Sequence, residues 1–343
     1  MVKHITIVSL SRGLLGEPFV RHELDLGLAR LKAYGVEVYF SANALKGPRY
    51  LENHPEARAQ DLLDAFQSDT DMILCAIGGD DTYRLLPYLF DNDELKNAVT
   101  DKIFLGFSDT TANHFMLDQV GLKTFYGQAF LPDICEPDKT MLPYTRHYFE
   151  ELLLTGTISK IVPSAVWYDS RTDFSQNALG IPMPEHPNHG FELLRGAPVF
   201  SGPILGGCID SIYDFFNSDR HADSAKMCSR YRLFPDKDEW KGKILLLESS
   251  EEQPTPEKYR AMLATLKQTG IFGAIHGILM GKPVDEKYAD DYNRLLIEVV
   301  DDRDLPIVAN INVGHATPRC IVPFGVNASV DVINQQILFE KRL

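Results

Sequence analysis

The sequence predicts an α/β fold: a parallel sheet covered by helices in the first half, followed by a second α/β unit richer in strand. Three observations carry this. Short apolar runs alternate with amphipathic stretches up to about residue 120. A polar stretch rich in Pro, Gly and Asn, RTDFSQNALGIPMPEHPNHG (171–190), then breaks the pattern. Beyond it apolar strands return, shorter and less cleanly wound around helices.

The elements follow in order. ITIVSL (5–10) reads as a first strand, VRHELDLGLARLKAYG (20–35) as a helix stopped by Gly35, and VEVYFS (36–41) as a second strand. In HPEARAQDLLDAFQS (54–68), Ala57, Leu62, Leu63 and Phe66 share one helical face. DMILCAI (71–77) is a buried strand that ends in Gly78-Gly79. TYRLLPYL starts the next helix, KIFLGF (102–107) is another strand and DTTANHFMLDQVG (109–121) another helix. After the texture changes near Trp167 come GPILGG, KILLLES, GAIHGILMG, PIVANIN and ASVDVINQQILF as strands. TPEKYRAMLATLKQTG and YADDYNRLLIEVVDD are the helices among them. This divides the chain into a unit over 1–165, a crossover over 166–198 and a second unit over 199–343.

Composition narrows the partners. A chain of 343 residues accommodates two domains, and 44% hydrophobic with 24% charged residues is ordinary for a globular protein. The net charge of −14 argues against a nucleic-acid backbone or an anionic membrane as partner. Five scattered cysteines form no C-x-x-C pair, and no H-x-x-x-H or H-E-x-x-H spacing occurs, so neither a disulfide framework, a metal site nor a cofactor is expected. MVKHITIVSLSRG reads as a strand rather than a signal peptide, and no apolar run reaches bilayer length. A cytoplasmic location is the expectation.

Four segments place reactive side chains at strand ends. In FLGFSDTTANHF (104–115), Ser108 stands between a strand and a helix, the layout of a nucleophile elbow, although G-x-S-x-G is not met. From this segment alone the same serine reads more readily as a plain helix N-cap, as do Asp109 and Thr110. In AIGGDDTYRLLP, Gly78-Gly79 let backbone N–H groups approach an anion or a carbonyl oxygen. That loop is close to the G-G-D-G-T loop of nucleotide phosphotransferases, with acidic Asp81 where the third glycine stands; a plain strand-to-helix turn explains it as well. In KGKILLLESSEE, Glu248 ends a buried strand at the mouth of a sheet, or is an exposed loop acid; Glu251 and Glu252 read as solvated surface. In PIVANINVGHATPRC, His315 follows Gly314 just beyond a strand, and His114 is its competitor near Ser108. Together the segments offer a hydroxyl, an imidazole and a carboxylate: Ser108 as nucleophile, His315 as base, Glu248 as orienting acid, with N–H groups of Gly79 and Asp109 for an oxyanion.

These segments, in this order, resemble the serine LD-carboxypeptidase family, which includes the microcin C immunity peptidases. TFYGQAFLPDICEP followed by PYTRHYFEELL is closer to the microcin-immunity branch. The resemblance implies a flavodoxin-like N-terminal domain bearing Ser108, and a swivelling α/β C-terminal domain bearing Glu248 and His315. It also implies a cytoplasmic homodimer that cleaves LD-peptide bonds of murein peptides or the amide of aminoacyl-nucleotide conjugates such as processed microcin C. Cys208 stands where the family usually has Asn, and Trp167 is a candidate for stacking on an aromatic ligand group. Two alternatives stay open from the residues: a phosphotransferase built on Gly78-Gly79-Asp80-Asp81, and a non-catalytic binding protein on the same fold.

Overall fold

The computed structural model describes residues 1–340. Its first sheet holds β1 (His4–Val8), β2 (Glu37–Phe40), β3 (Met72–Cys75), β4 (Ile103–Gly106) and β5 (Phe125–Tyr126). The chain continues through β6 (Lys160–Ile161), the hairpin β7 (Val166–Tyr168) and β8 (Glu185–Pro187), β9 (Glu192–Arg195) and β10 (Val199–Cys208). It closes with β11 (Ile244–Glu248), β12 (Gly277–Gly281), β13 (Ile307–Ile311), β14 (Val322–Pro323), β15 (Asn327–Asp331) and β16 (Gln336–Phe339).

The first sheet runs in the order β14-β5-β4-β3-β1-β2, and β1 to β5 pair in parallel. Every residue of β3 and β4 is buried, as expected where helices cover both faces of a parallel sheet. The second sheet runs β6-β16-β15-β10-β11-β12-β13-β9. Its centre, β10 to β13, is parallel, while β15, β16, β6 and β9 add antiparallel flanks. Those flanks explain the less regular texture of the second half. The chain also crosses between the sheets: β6 precedes the crossover yet joins the second sheet, and late β14 returns to cap the first. Among the described residues no helix is long and apolar enough to cross a membrane.

The two sheets meet through the helix Thr110–Gln119. Its residues from Thr110 to Leu117 are all buried, more than one amphipathic face would require, because it lies between the sheets. Thr111 Oγ1 accepts a hydrogen bond from the Cys208 N–H at 3.0 Å, tying this helix to the end of β10. The carboxyl ends of β4, β10, β11 and β13 therefore converge, and open α/β sheets bind ligands at such ends.

Candidate active site

β4 ends at Gly106, and within four residues the chain is helical. The turn is made by Ser108, whose φ of 66° lies in the left-handed region. A non-glycine residue there is strained, and that conformation lifts the hydroxyl off the sheet. Gly78 makes room for it: a Cβ on Gly78 would lie 2.6 Å from both Cβ and Oγ of Ser108. Asp109 stands at the N-cap position but caps nothing; its carboxylate instead accepts from Ser11 Oγ at 2.6 Å and from the Thr82 N–H at 2.9 Å. Burial pushes that carboxyl up to about 6 against those two hydrogen bonds. The expected side-chain cap is thus replaced by a link between the Ser108 turn and the Gly78-Gly79 loop.

Glu248 is the last residue of β11 and is fully buried. His315 lies four residues beyond β13. A Cβ on Gly314 would collide with the Glu248 carboxylate, and its φ of 87° suits glycine alone, so glycine lets the chain turn tightly over that acid. His315 then donates twice to Glu248 Oε2, from its backbone N–H at 3.2 Å and from Nδ1 at 2.8 Å. Its Nε2 faces Ser108 Oγ at 3.0 Å. Ser108, His315 and Glu248, separated by up to 207 positions, form one continuous hydroxyl–imidazole–carboxylate chain.

Several partners were not apparent from sequence. The Tyr126 hydroxyl, fully buried on β5, donates to Glu248 Oε1 at 2.6 Å and accepts from the Ser108 N–H at 3.2 Å. Burial, then the Glu248 charge, hold this phenol far above its ordinary range, so it acts purely as a hydrogen-bonding group. Arg319 Nη2 donates to the His315 carbonyl at 3.1 Å, and its guanidinium lies 4.7 Å from the Phe107 ring centroid. Glu251, read as solvated surface, reaches the imidazole: its Oε2 lies 3.0 Å from His315 Nε2. No sequence signal marks it, because a run of acids after a strand ordinarily faces water.

The remaining candidates fall as follows. The N–H groups of Gly79 and Asp109 have no hydrogen-bond partner among the described residues. Asp81 turns away from the loop mouth into a bidentate pair with Arg58, at 2.6 and 3.0 Å. Trp167 is buried in the β7–β8 hairpin, stacked on His186 with centroids 4.3 Å apart and with Lys282 Nζ 5.1 Å from its ring. The next residue, Tyr168, hydrogen-bonds to the Thr317 carbonyl, which brings the hairpin to the His315 loop. Cys208 is buried, and its Sγ, a Glu248 oxygen and a His315 nitrogen lie within 4.8 Å of one another. Those three are the only His, Cys, Asp or Glu group with metal-ligand proximity among the described residues, and the imidazole and carboxylate in it already bond each other. His114 is fully buried and serves packing, with its ring nitrogens on Thr124 Oγ1 and the Gly106 carbonyl.

Comparison with known proteins matches both halves of the chain to one peptidase family. The LD-carboxypeptidase N-terminal domain matches residues 5–127 and the LD-carboxypeptidase C-terminal domain residues 201–330. An MccF-like protein from Streptococcus pneumoniae, solved in complex with AMP, is 60% identical and superposes with a TM-score of 0.98 over 99% of both chains. The microcin C7 self-immunity protein MccF of Escherichia coli is 26% identical over 82% of this chain and 77% of its own length. The "Probable murein peptide carboxypeptidase" of Bacillus subtilis is 24% identical over 93% of this chain and 87% of its own. The chain belongs to the LD-carboxypeptidase family of serine peptidases.

Proposed function

We propose that this protein hydrolyses an amide through Ser108, His315 and Glu248, and that its substrate is an aminoacyl or peptidyl nucleotide conjugate of the processed microcin C type. The observation that carries the reading is the 3.0 Å approach of His315 Nε2 to a serine hydroxyl held at a strained strand-to-helix turn. Ser108 Oγ attacks the carbonyl carbon and passes its proton to His315 Nε2. Glu248, through Nδ1, stabilises the imidazolium that forms, and Tyr126 fixes the other oxygen of that acid. The N–H groups of Gly79 and Asp109 hold the oxyanion. Collapse of the tetrahedral intermediate expels the amine, which takes the Nε2 proton, and water then repeats the sequence on the acyl-enzyme.

The nucleotide conjugate is favoured over a murein tetrapeptide because the similar protein from Streptococcus pneumoniae was solved with AMP. Trp167, buried against His186 and Lys282, packs the hairpin beside the His315 loop rather than offering a free face for a base, and the molecule works as a cytoplasmic homodimer. In Ser108→Ala, hydrolysis of an aminoacyl-sulfamoyl adenosine is expected to fall by at least about 10⁴-fold while the fold persists. A variant that cleaves as fast as the parent would remove the nucleophile assignment. A parent enzyme faster on an LD-tetrapeptide would move the substrate to murein.

A further inference from the structure

The loop after β11 sets a second carboxylate against the imidazole. Glu251 Oε2 and Ser108 Oγ both lie 3.0 Å from the same atom, His315 Nε2. To act as a base, Nε2 must begin without a proton. A carboxylate at hydrogen-bond distance demands the opposite, since two lone pairs facing each other repel. With Nδ1 on Glu248 and Nε2 at ion-pair distance from Glu251, the imidazole has a carboxylate on each side, an arrangement that favours its cation.

The surroundings agree. Burial disfavours the cation, yet Glu248 and Glu251 outweigh it and push His315 up to about 10. Glu251 in turn is drawn down to about 2, chiefly by its hydrogen bond to His315. From the helix after β10, buried Asp210 adds a further negative charge. Cys208, its thiol raised by burial, contributes none at neutral pH. The opposing positive groups are engaged elsewhere: Arg319 on the His315 carbonyl, and Arg220 on Glu252 and Asp214. Glu251 itself is loosely held. Its side chain is 71% exposed, and His315 is its only ion-pair partner among the described residues.

We propose that Glu251 is a displaceable gate on His315, opened by a cationic amine that the substrate carries beside the scissile carbonyl. The inference rests on the Ser108–His315 reading above. The Glu251 carboxylate stands within two hydrogen-bond lengths of Ser108 Oγ. The α-ammonium of an aminoacyl group lies two bonds from the carbon that Ser108 attacks, so it can take Glu251 as its counter-ion. Relieved of that carboxylate, His315 releases its Nε2 proton to water and becomes the base. An amine already acylated, as at any internal peptide position, carries no charge and leaves the gate shut. Within the proposed substrate class, Glu251 thereby favours the aminoacyl conjugates over the peptidyl ones.

The test compares alanyl-sulfamoyl adenosine with its N-acetyl form in the parent, Glu251→Gln and Glu251→Asp. The parent is expected to prefer the free amine by about five-fold in kcat/KM, the upper worth of one partly exposed ion pair with an ammonium. Glu251→Gln should bring the two substrates within about two-fold by accelerating the acetylated one, and Glu251→Asp should keep the preference. In the substrate-free protein, the His315 imidazole followed by NMR should titrate at least about one pH unit lower in Glu251→Gln than in the parent. An unchanged midpoint overturns the gate whatever the substrate. A lowered midpoint with an unchanged preference overturns the amine as its key. Loss of the underlying reading has a separate signature, undiminished hydrolysis by Ser108→Ala.

Discussion

Two histidines in this molecule sit in opposite pockets. His114, on the helix behind Ser108, is fully buried among Phe104, Tyr126 and Phe324, and its partners are a hydroxyl and a carbonyl. Burial, opposed only by the hydrogen bond to the Gly106 carbonyl, pushes it down to about 3. The His315 side chain is nearly as buried, at 8% exposed, and burial likewise disfavours its cation, but two carboxylates reverse the sign and take it to about 10. Desolvation is common to both. The partners decide whether an imidazole is a neutral packing unit or a group that can carry a proton.

The comparison breaks most sharply at Glu248. Glu248→Gln keeps the shape and gives His315 a neutral partner, as His114 has. kcat is expected to fall by about 10³- to 10⁴-fold, because the imidazolium loses its stabilising charge and the ring its fixed tautomer. Steady-state kinetics on an aminoacyl-sulfamoyl adenosine read this directly, and a loss under ten-fold would mean that Glu248 positions the ring without tuning it. Tyr126→Phe is a gentler version. It deletes the hydrogen bond to Glu248 Oε1 and leaves that buried carboxylate oxygen short of a donor. About 1.4 kcal/mol of lost orientation corresponds to a ten-fold drop in kcat with KM little changed. The variant also deletes the acceptor of the Ser108 N–H, so an unchanged kcat would show that neither hydrogen bond of this hydroxyl orients the triad.

How much of this was visible beforehand follows from the same physics. Ser108, Glu248 and His315 each end or follow an apolar run, and a polar residue at such a place is legible because burial makes the runs conspicuous. The parallel sheet of the first unit was legible for the same reason, whereas the second was legible only as an α/β unit and not as having a parallel centre. Tyr126 was not: β5 has two residues, and a lone aromatic there reads as core. Glu251 was misread because the one contact that matters comes from a loop 64 residues away, and local charge patterning describes a solvated run. Asp109 was misplaced as a cap because capping propensity is local, whereas its partners, Ser11 and Thr82, lie on other loops. Asp81 likewise gave no hint of Arg58, which reaches it from the helix Pro55–Gln67. Strand pairing that returns across the chain, as β14 does to β5, leaves no periodic trace either.

The smallest effect expected is on stability, and it sharpens the comparison because the two histidines pull in opposite directions. His114 has a depressed folded value, so below its ordinary 6.5 the unfolded chain takes up a proton that the folded chain refuses. Its contribution is present above pH 6.5 and is lost as pH falls towards 3. His315 has a raised value, so its contribution is fully present below pH 6.5 and is lost as pH rises towards 10. Each slope is bounded by about 1.4 kcal/mol per pH unit, and the exposed Glu251 makes the alkaline one shallower through solvent screening. Urea unfolding between pH 6.5 and 9.5 should therefore show a fall in stability for the parent that is flatter in His315→Gln. On the acid limb below pH 6.5 the His114 contribution should be the same in both proteins, and any difference should appear only near pH 4.5, because in the variant Glu251 is no longer drawn down by His315. Parallel profiles on the alkaline side would mean that His315 is neutral in the resting molecule, and the contrast between the two pockets would then reduce to one of shape.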